Sequence, residues 1–272
     1  MKPDSIQLVL CDMDGTLLRP DHSLSEATVA AVRQLQDADV SFTLASGRPP
    51  RAMRDQIEQL GIILPTAAFN GGVLVDADGQ YLKSHHIPVD AVRQSLKVLS
   101  AYPVDPWVFA DDQWYLRDPD GPMVDHEQRA LGYAPVVVDC FEPHLERVDK
   151  IVAASRDAQL LIQLEHRLHD ELAGKALASR SQAFYLDITA PKANKGEALV
   201  ALAHMLDVPL SRTMAIGDGG NDPAMFEKAG LSIAMGQADE AIKVKATHVT
   251  GTNVQDGVAQ AIERFVLRPQ KH

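Results

Sequence analysis

Short apolar runs near residues 6–11, 40–45, 66–69, 213–216, 231–234 and 247–249 predict buried strands. Between them, apolar residues recur at helical spacing. Val29, Val32 and Leu35 mark one helix, preceded by a candidate capping box in Ser23-Leu24-Ser25-Glu26. Met53, Ile57 and Leu60 mark a second. Asn194-Lys195-Gly196 opens a third, with Ala198, Leu199, Leu202, Met205 and Leu206 as its apolar face. A closing amphipathic helix carries Val258, Ala259, Ile262, Phe265 and Val266. Strands alternating with helices predict an α/β fold built on a doubly wound, Rossmann-like parallel sheet.

The middle of the chain reads differently. From about Lys83 to Ile188 the pattern predicts a helix (Val89, Val92, Leu96, Leu99) and then a hairpin from Trp107-Val108-Phe109 to Trp114-Tyr115-Leu116, turning at Asp111-Asp112. A strand at Ile151-Val152-Ala153, a helix with Leu160, Leu161, Leu164 and Leu168, and a strand over 184–188 complete it. At 272 residues the chain is longer than one core usually supports. The expected organisation is a discontinuous core, 1–82 and 189–272, interrupted by an inserted α/β unit, 83–188.

The candidate chemistry sits where the core strands end. Asp12-Met13-Asp14-Gly15-Thr16 follows the first apolar run and sets two carboxylates two positions apart, on one side of an extended chain. Gly15 can adopt the positive φ that turns the chain away. The chain carries its own control for this pattern. Asp76-Ala77-Asp78-Gly79, between Val73-Leu74-Val75 and Tyr81-Leu82, reads as a hairpin turn, so D-x-D-G alone means little.

Three distant segments give the first copy its meaning. Ser46-Gly47-Arg48 follows a strand and precedes a helix, where a hydroxyl and a backbone N–H can hold phosphate oxygens or simply cap the helix. Lys195 stands at a helix start, against the helix dipole unless an anion is near. Met214-Ala215-Ile216 runs into Gly217-Asp218-Gly219-Gly220-Asn221-Asp222-Pro223, acids in a glycine loop with a proline placed for a first helical turn.

The ordered set D-x-D-G-T, S-G-R, N-K-G and G-D-x-x-N-D resembles the haloacid dehalogenase-like superfamily. The order of the motifs and the insertion between the second and third resemble its Cof-type phosphatase branch, whose members carry an α/β cap. Arg48-Pro49 and Phe69-Asn70-Gly71-Gly72 match that branch too. The resemblance implies a hydrolase of small phosphate monoesters, a sugar phosphate or a phosphorylated cofactor or vitamin precursor. It implies Asp12 as the nucleophile that forms an aspartyl-phosphate, and Asp14 as general acid and then base. The Met13 amide, Ser46, the Gly47 amide, Lys195 and Asn221 would hold the phosphoryl group. Magnesium would be bound by the Asp12 carboxylate, the Asp14 backbone carbonyl and the Asp218 carboxylate, with Asp222 behind them. Charge supports the ion independently, because converging carboxylates repel one another unless a hard cation is bound.

Two other readings stand beside this one. A phosphotransferase of the phosphomannomutase type would need an acceptor sugar. A receiver-like signalling module would hold its phosphoryl group for long periods, and it usually lacks an acid at the position of Asp14. A formal charge of −11 disfavours nucleic acid or an anionic membrane as partner. No apolar run approaches spanning length and no signal-peptide segment is evident at the N-terminus, so a cytoplasmic protein is expected. Two cysteines, Cys11 and Cys140, are too few for a disulfide framework. Nothing in the pattern specifies an oligomeric state. In the insertion, Trp107, Phe109, Trp114 and Tyr115 read as core more readily than as stacking surfaces for a ligand. His85-His86 reads as solvated, and Arg117, His126 and Tyr185 are left undecided.

Overall fold

The computed structural model describes residues 5–268 and divides the chain into two compact units. The first comprises the chain up to Gly47, Met53–Leu82 and Asn194 onward; the second comprises Arg48–Ala52 and Lys83–Ala193. In chain order the elements are β1 (Leu8–Asp12), α1 (Glu26–Asp37), β2 (Ser41–Ala45), α2 (Arg54–Gln59), β3 (Thr66–Ala68), β4 (Val73–Val75) and β5 (Tyr81–Ser84). Then come α3 (Val89–Leu99), β6 (Asp105–Ala110), β7 (Gln113–Leu116), α4 (Val124–Leu131), β8 (Val136–Val137), β9 (Val148–Ala154), α5 (Ala158–Leu172), β10 (Leu177–Gln182) and β11 (Tyr185–Thr189). The chain closes with α6 (Lys195–Met205), β12 (Thr213–Gly217), α7 (Pro223–Phe226), β13 (Leu231–Ala234), α8 (Glu240–Lys243), β14 (His248–Val249) and α9 (Gly257–Ile262).

The first unit is built on a sheet of order β14-β13-β12-β1-β2-β3-β4-β5, parallel from β14 to β3. Every residue of β1 is buried, as a central parallel strand covered on both faces requires. Leu8 and Leu10 join Ala198, Leu199 and Leu202 of α6 in one apolar cluster. Val9 and Cys11 point to the opposite face by the two-residue repeat, and the buried residues of α1 and α9 include Val32, Leu35, Val258 and Ile262. The order of strands reverses at β1: β2 and β3 lie on one side of it, β12, β13 and β14 on the other. Such a switch point opens a crevice at the carboxyl ends of the strands.

Several local expectations change. Ser25 caps α1 by accepting the Thr28 N–H at 3.1 Å, so the cap has no glutamate reaching back as a capping box would. Residues 76–79 do form a tight turn between β4 and β5: Asp76 accepts the N–H groups of Asp78 and Gln80, and Gly79 takes φ +81. The helix after Ser46 starts only at Arg54, after a 3-10 turn at Pro50–Met53, because Pro49 and Pro50 disfavour helical geometry in the residues before them. Ser46 therefore follows a strand directly, and the N-cap position of α2 falls to Met53. Met205 is 45% exposed and leaves the apolar face of α6. Among the described residues no helix is long and apolar enough to cross a membrane.

The second unit holds a six-stranded sheet of order β10-β11-β9-β6-β7-β8. On one face Val108, Ala110, Ile151, Ala153, Leu186 and Ile188 pack with residues of α3 and α5 such as Val92, Leu99, Leu161 and Leu168. Trp107, Phe109 and Trp114 are almost wholly buried and Tyr115 is 8% exposed, so these aromatic side chains are structural, with Trp107 and Trp114 edge to face at 5.1 Å. His86 is only partly solvated, its side chain 28% exposed. Its Nδ1 lies 3.0 Å from Asp149, a fully buried carboxylate that needs a partner. β8, β10 and α4 are additions to the expected elements.

Trp107 Nε1 donates to Asp105 Oδ2 at 2.7 Å. Burial raises the Asp105 carboxyl to about 6, although the Trp107 bond lowers it, and Asp118 adds to the rise. A carboxyl raised on folding contributes stability that is full below the unfolded value near 4 and is lost as pH rises through about 6. Asp105→Asn escapes that loss and still accepts the Trp107 bond. The variant should gain about 1 kcal/mol at pH 8 once screening at this half-buried site is discounted, and roughly half of that at pH 5. Urea denaturation at the two pH values checks this, and an equal gain at both would contradict it.

Candidate active site

Four loops meet at the carboxyl ends of β1, β2 and β12 in the first unit. β1 delivers Asp12, only 6% exposed, and the chain then leaves the sheet through a wide turn over Met13–Leu17. Gly15 takes φ +82 there, as its position predicts, and a Cβ on it would collide with the Asp218 carboxylate. Met13 is fully buried under the turn. Because β1 ends at Asp12 and the chain turns at Met13, Asp14 does not share its surroundings. The Asp14 side chain is 47% exposed, with one carboxylate oxygen 3.7 Å from His22 Nδ1.

The helix α6 presents Lys195 in its first turn, where Asn194 accepts the Glu197 N–H at 2.9 Å. Lys195 has no exposed surface. Its ammonium donates to Asp12 Oδ1 and, at 2.6 Å, to Asp222 Oδ1. These are the anions that a buried cation against the helix dipole requires. Burial pulls the ammonium's pKa down, but Asp12 and Asp222 outweigh it and hold the group above its ordinary range.

After β12 the glycine loop folds around one acid. Asp222 Oδ2 accepts the backbone N–H groups of Asp218 and Gly219 at 2.7 and 2.8 Å, and a Cβ at Gly217 would strike this carboxylate. Pro223 occupies the first position of α7. With Lys195 on its other oxygen, Asp222 is engaged on both sides. Asp218 faces the Asp12 turn instead, accepting Thr16 Oγ1 at 2.7 Å.

Asp12, Asp218 and Asp222 each bring an oxygen within 4.8 Å of the others. Burial is the largest cause of the raised Asp12 pKa, with Asp222 and Asp218 adding to it and Lys195 opposing. Asp218 is raised for the same first reason, with Asp222 adding and Thr16 opposing. Three acids against one ammonium leave negative charge in a small, dry volume, and an all-oxygen donor set of this kind fits a hard divalent cation.

Ser46, 1% exposed, and Gly47 follow β2 on the same edge of the sheet. The Asn70 N–H donates to the Ser46 carbonyl at 2.7 Å, and the Asn221 Nδ2 amide donates to Asn70 Oδ1 at 2.8 Å. Asn70 thus links the Ser46 segment to the Asp218–Asp222 loop. Phe69, Asn70 and Gly71 hold φ of +49, +58 and +93, a run of left-handed backbone of the kind found at functional loops. Asn70 and Thr16 lie inside motifs that the sequence displays, although their contacts do not show there. Gln237 has no such signal. It donates to the Gly15 carbonyl at 2.5 Å and accepts the Asn253 N–H at 3.0 Å, which ties the turn after Asp12 to a later loop.

The family of haloacid dehalogenase-like hydrolases matches residues 9–262. An HMP-PP phosphatase of Yersinia pseudotuberculosis is 30% identical over 267 residues, covering 97% of this chain and 96% of its own length. A 5-amino-6-(5-phospho-D-ribitylamino)uracil phosphatase of Bacillus subtilis is 26% identical over 263 residues, covering 96% of each chain. A solved haloacid dehalogenase-like hydrolase from Bacteroides thetaiotaomicron superposes with a TM-score of 0.88 at 26% identity, covering 96% of this chain and 99% of its own.

Proposed function

Because this chain belongs to the haloacid dehalogenase-like hydrolases, we propose that it is a magnesium-dependent phosphatase of small phosphate monoesters in which Asp12 is the nucleophile. The observation that carries the reading is the placement of Asp12. It is a buried carboxylate at the end of the central strand, paired with a fully buried lysine and within 4.8 Å of Asp218 and Asp222. A structural acid at a strand end gains nothing from two further acids beside it.

Asp12 attacks the phosphorus in line, forming the Asp12 acyl phosphate as the ester oxygen leaves. Asp14, exposed at the turn, protonates that oxygen and then removes a proton from the water that attacks the intermediate, releasing inorganic phosphate. Lys195 offsets the charge on the phosphoryl oxygens. Ser46, the Met13 and Gly47 amides and Asn221 donate hydrogen bonds to them from fixed positions. Asn221 spends one amide proton on Asn70, which leaves the other to turn toward the substrate. Asp12, the Asp14 carbonyl and Asp218 would hold magnesium, while Asp222, already engaged by Lys195 and two backbone amides, orients the lysine and the loop. When bound, the ion supplies charge neutralisation between nucleophile and phosphoryl group.

The first unit is accordingly the catalytic core and the second a cap that reads the leaving group. The named substrates of the relatives support a small phosphorylated metabolite. Purified protein should release phosphate from a panel of such esters with magnesium and fall to background after exhaustive chelation. Full activity in the chelated protein would refute the metal site. Activity that needs an added acceptor sugar would favour the phosphotransferase reading, whereas hydrolysis in its absence favours the phosphatase.

A further inference from the structure

Phe69, Asn70 and Gly71, which follow β3 directly, hold left-handed backbone one after another, at φ +49, +58 and +93. Glycine adopts such angles freely and asparagine tolerates them, but for a bulky ring they are strained. Phe69 is only 1% exposed, so its ring is fixed in the core and the turn cannot relax by swinging it outward. Strain of this kind persists where the surrounding structure over-determines it, and it concentrates where function needs the geometry.

The strained turn touches three separate elements of the first unit. The Asn70 N–H donates to the Ser46 carbonyl at 2.7 Å, and the Asn70 amide group lies 3.5 Å from where a Cβ on Gly47 would stand. Gly71 passes so close to the start of α6 that a Cβ there would fall 2.8 Å from the Asn194 carbonyl and from Ala198 Cβ, on either side of Lys195 in the chain. Asn70 Oδ1 accepts Asn221 Nδ2 at 2.8 Å, from the loop after β12. In the sheet β2 and β1 stand between β3 and β12, so this bond joins loops whose strands lie roughly 14 Å apart, with Ser46 and Asp12 at the ends of the two strands between them.

Asn221 is exposed to solvent, where an amide with no fixed partner turns readily about its last torsion. Among the described residues, Asn70 is the hydrogen-bond partner that holds it. We propose that Asn70 is a positioning residue for phosphoryl transfer: its Oδ1 takes one Asn221 amide proton and so aims the other at the phosphoryl group, while its backbone N–H sets the Ser46–Gly47 segment that supplies further donors. The inference rests on the phosphatase reading. Asn70 acts through Asn221, because a donor fixed before the reaction needs no reorientation in the transition state.

A double-mutant cycle tests this, with Asn70→Gly as the variant because glycine keeps the left-handed backbone and deletes only the side chain. With magnesium and an ester that the wild type hydrolyses, Asn70→Gly should lower kcat about tenfold with KM little changed, since an untethered donor is lost mainly from the transition state. Asn221→Ala should cost on the order of a hundredfold, and adding Asn70→Gly to it should cost less than about twofold more. Asn70→Asp keeps the acceptor and tolerates the left-handed angle, so it should restore kcat to within about threefold of wild type, its added charge raising KM alone. A loss that persists undiminished in the Asn221→Ala background, no loss in Asn70→Gly, or an aspartate variant no better than the glycine one overturns the proposal. Circular dichroism checks folding, and if the glycine variant is unfolded the aspartate variant decides by the same threefold criterion, a larger fall in kcat overturning the proposal. If no ester is hydrolysed, the phosphatase reading fails separately, and calorimetric titration with inorganic phosphate takes the place of kcat. Affinity that Asn70→Gly weakens in the wild type but not in the Asn221→Ala background then supports the positioning role, and any other result overturns it.

Discussion

Asp12→Asn should release no measurable phosphate from any ester in the panel, a loss of about 10⁴- to 10⁶-fold, the scale seen when a covalent nucleophile is removed. The substitution keeps the side chain's shape, and Lys195 retains its bond to Asp222. Burial already works against charge at Asp12, so a neutral amide there should leave the fold intact. Steady-state phosphate release, with circular dichroism of the variant alongside, separates lost chemistry from lost structure. Residual turnover within about a hundredfold of wild type would remove Asp12 from the role of nucleophile.

Asp14→Asn should fail in a different way. The exposed Asp14 carboxylate lies outside the three-acid group, so its removal spares the buried charge balance and costs only proton transfer. For alkyl esters, whose departing oxygen needs a proton, kcat should fall on the order of 10²- to 10⁴-fold. For an activated aryl phosphate the first step should be nearly unimpaired, while water attack on the intermediate slows. Pre-steady-state kinetics should then show a burst of phenol release followed by slow turnover. Equal losses on both steps and both ester types would place Asp14 in structure or binding instead.

Much of this site was legible because each motif is local and ends an element. The apolar run of β1 predicts where Asp12 emerges, and Lys195 at a helix start signals a nearby anion that proves to be Asp12 and Asp222. What the sequence conceals is contact between loops. Asn70 meeting Asn221, Gln237 reaching Gly15 and His22 standing beside Asp14 span gaps that no periodicity reports. The proline pair after Gly47 delayed a helix whose apolar spacing was otherwise well marked. β10 was missed because Leu177–Gln182 is an exposed edge strand, where sheet pairing tolerates a polar sequence without alternation. α4 was missed because it buries only Val124 and Leu131. The aromatic residues of the second unit were readable as buried, because large apolar rings at strand spacing have few other places to go.

The central claim is the covalent step at Asp12, and the slow breakdown expected of Asp14→Asn makes it directly measurable. The variant should be mixed with an activated aryl phosphate in the presence of magnesium, quenched in acid within milliseconds, digested, and mapped by mass spectrometry. One phosphoryl group on the peptide containing Asp12, localised to that carboxylate and lost on treatment with hydroxylamine, is the predicted result. Phosphate on Ser46, Cys11 or Asp218, or turnover of the ester with no phosphorylated peptide at any quench time, would contradict the account.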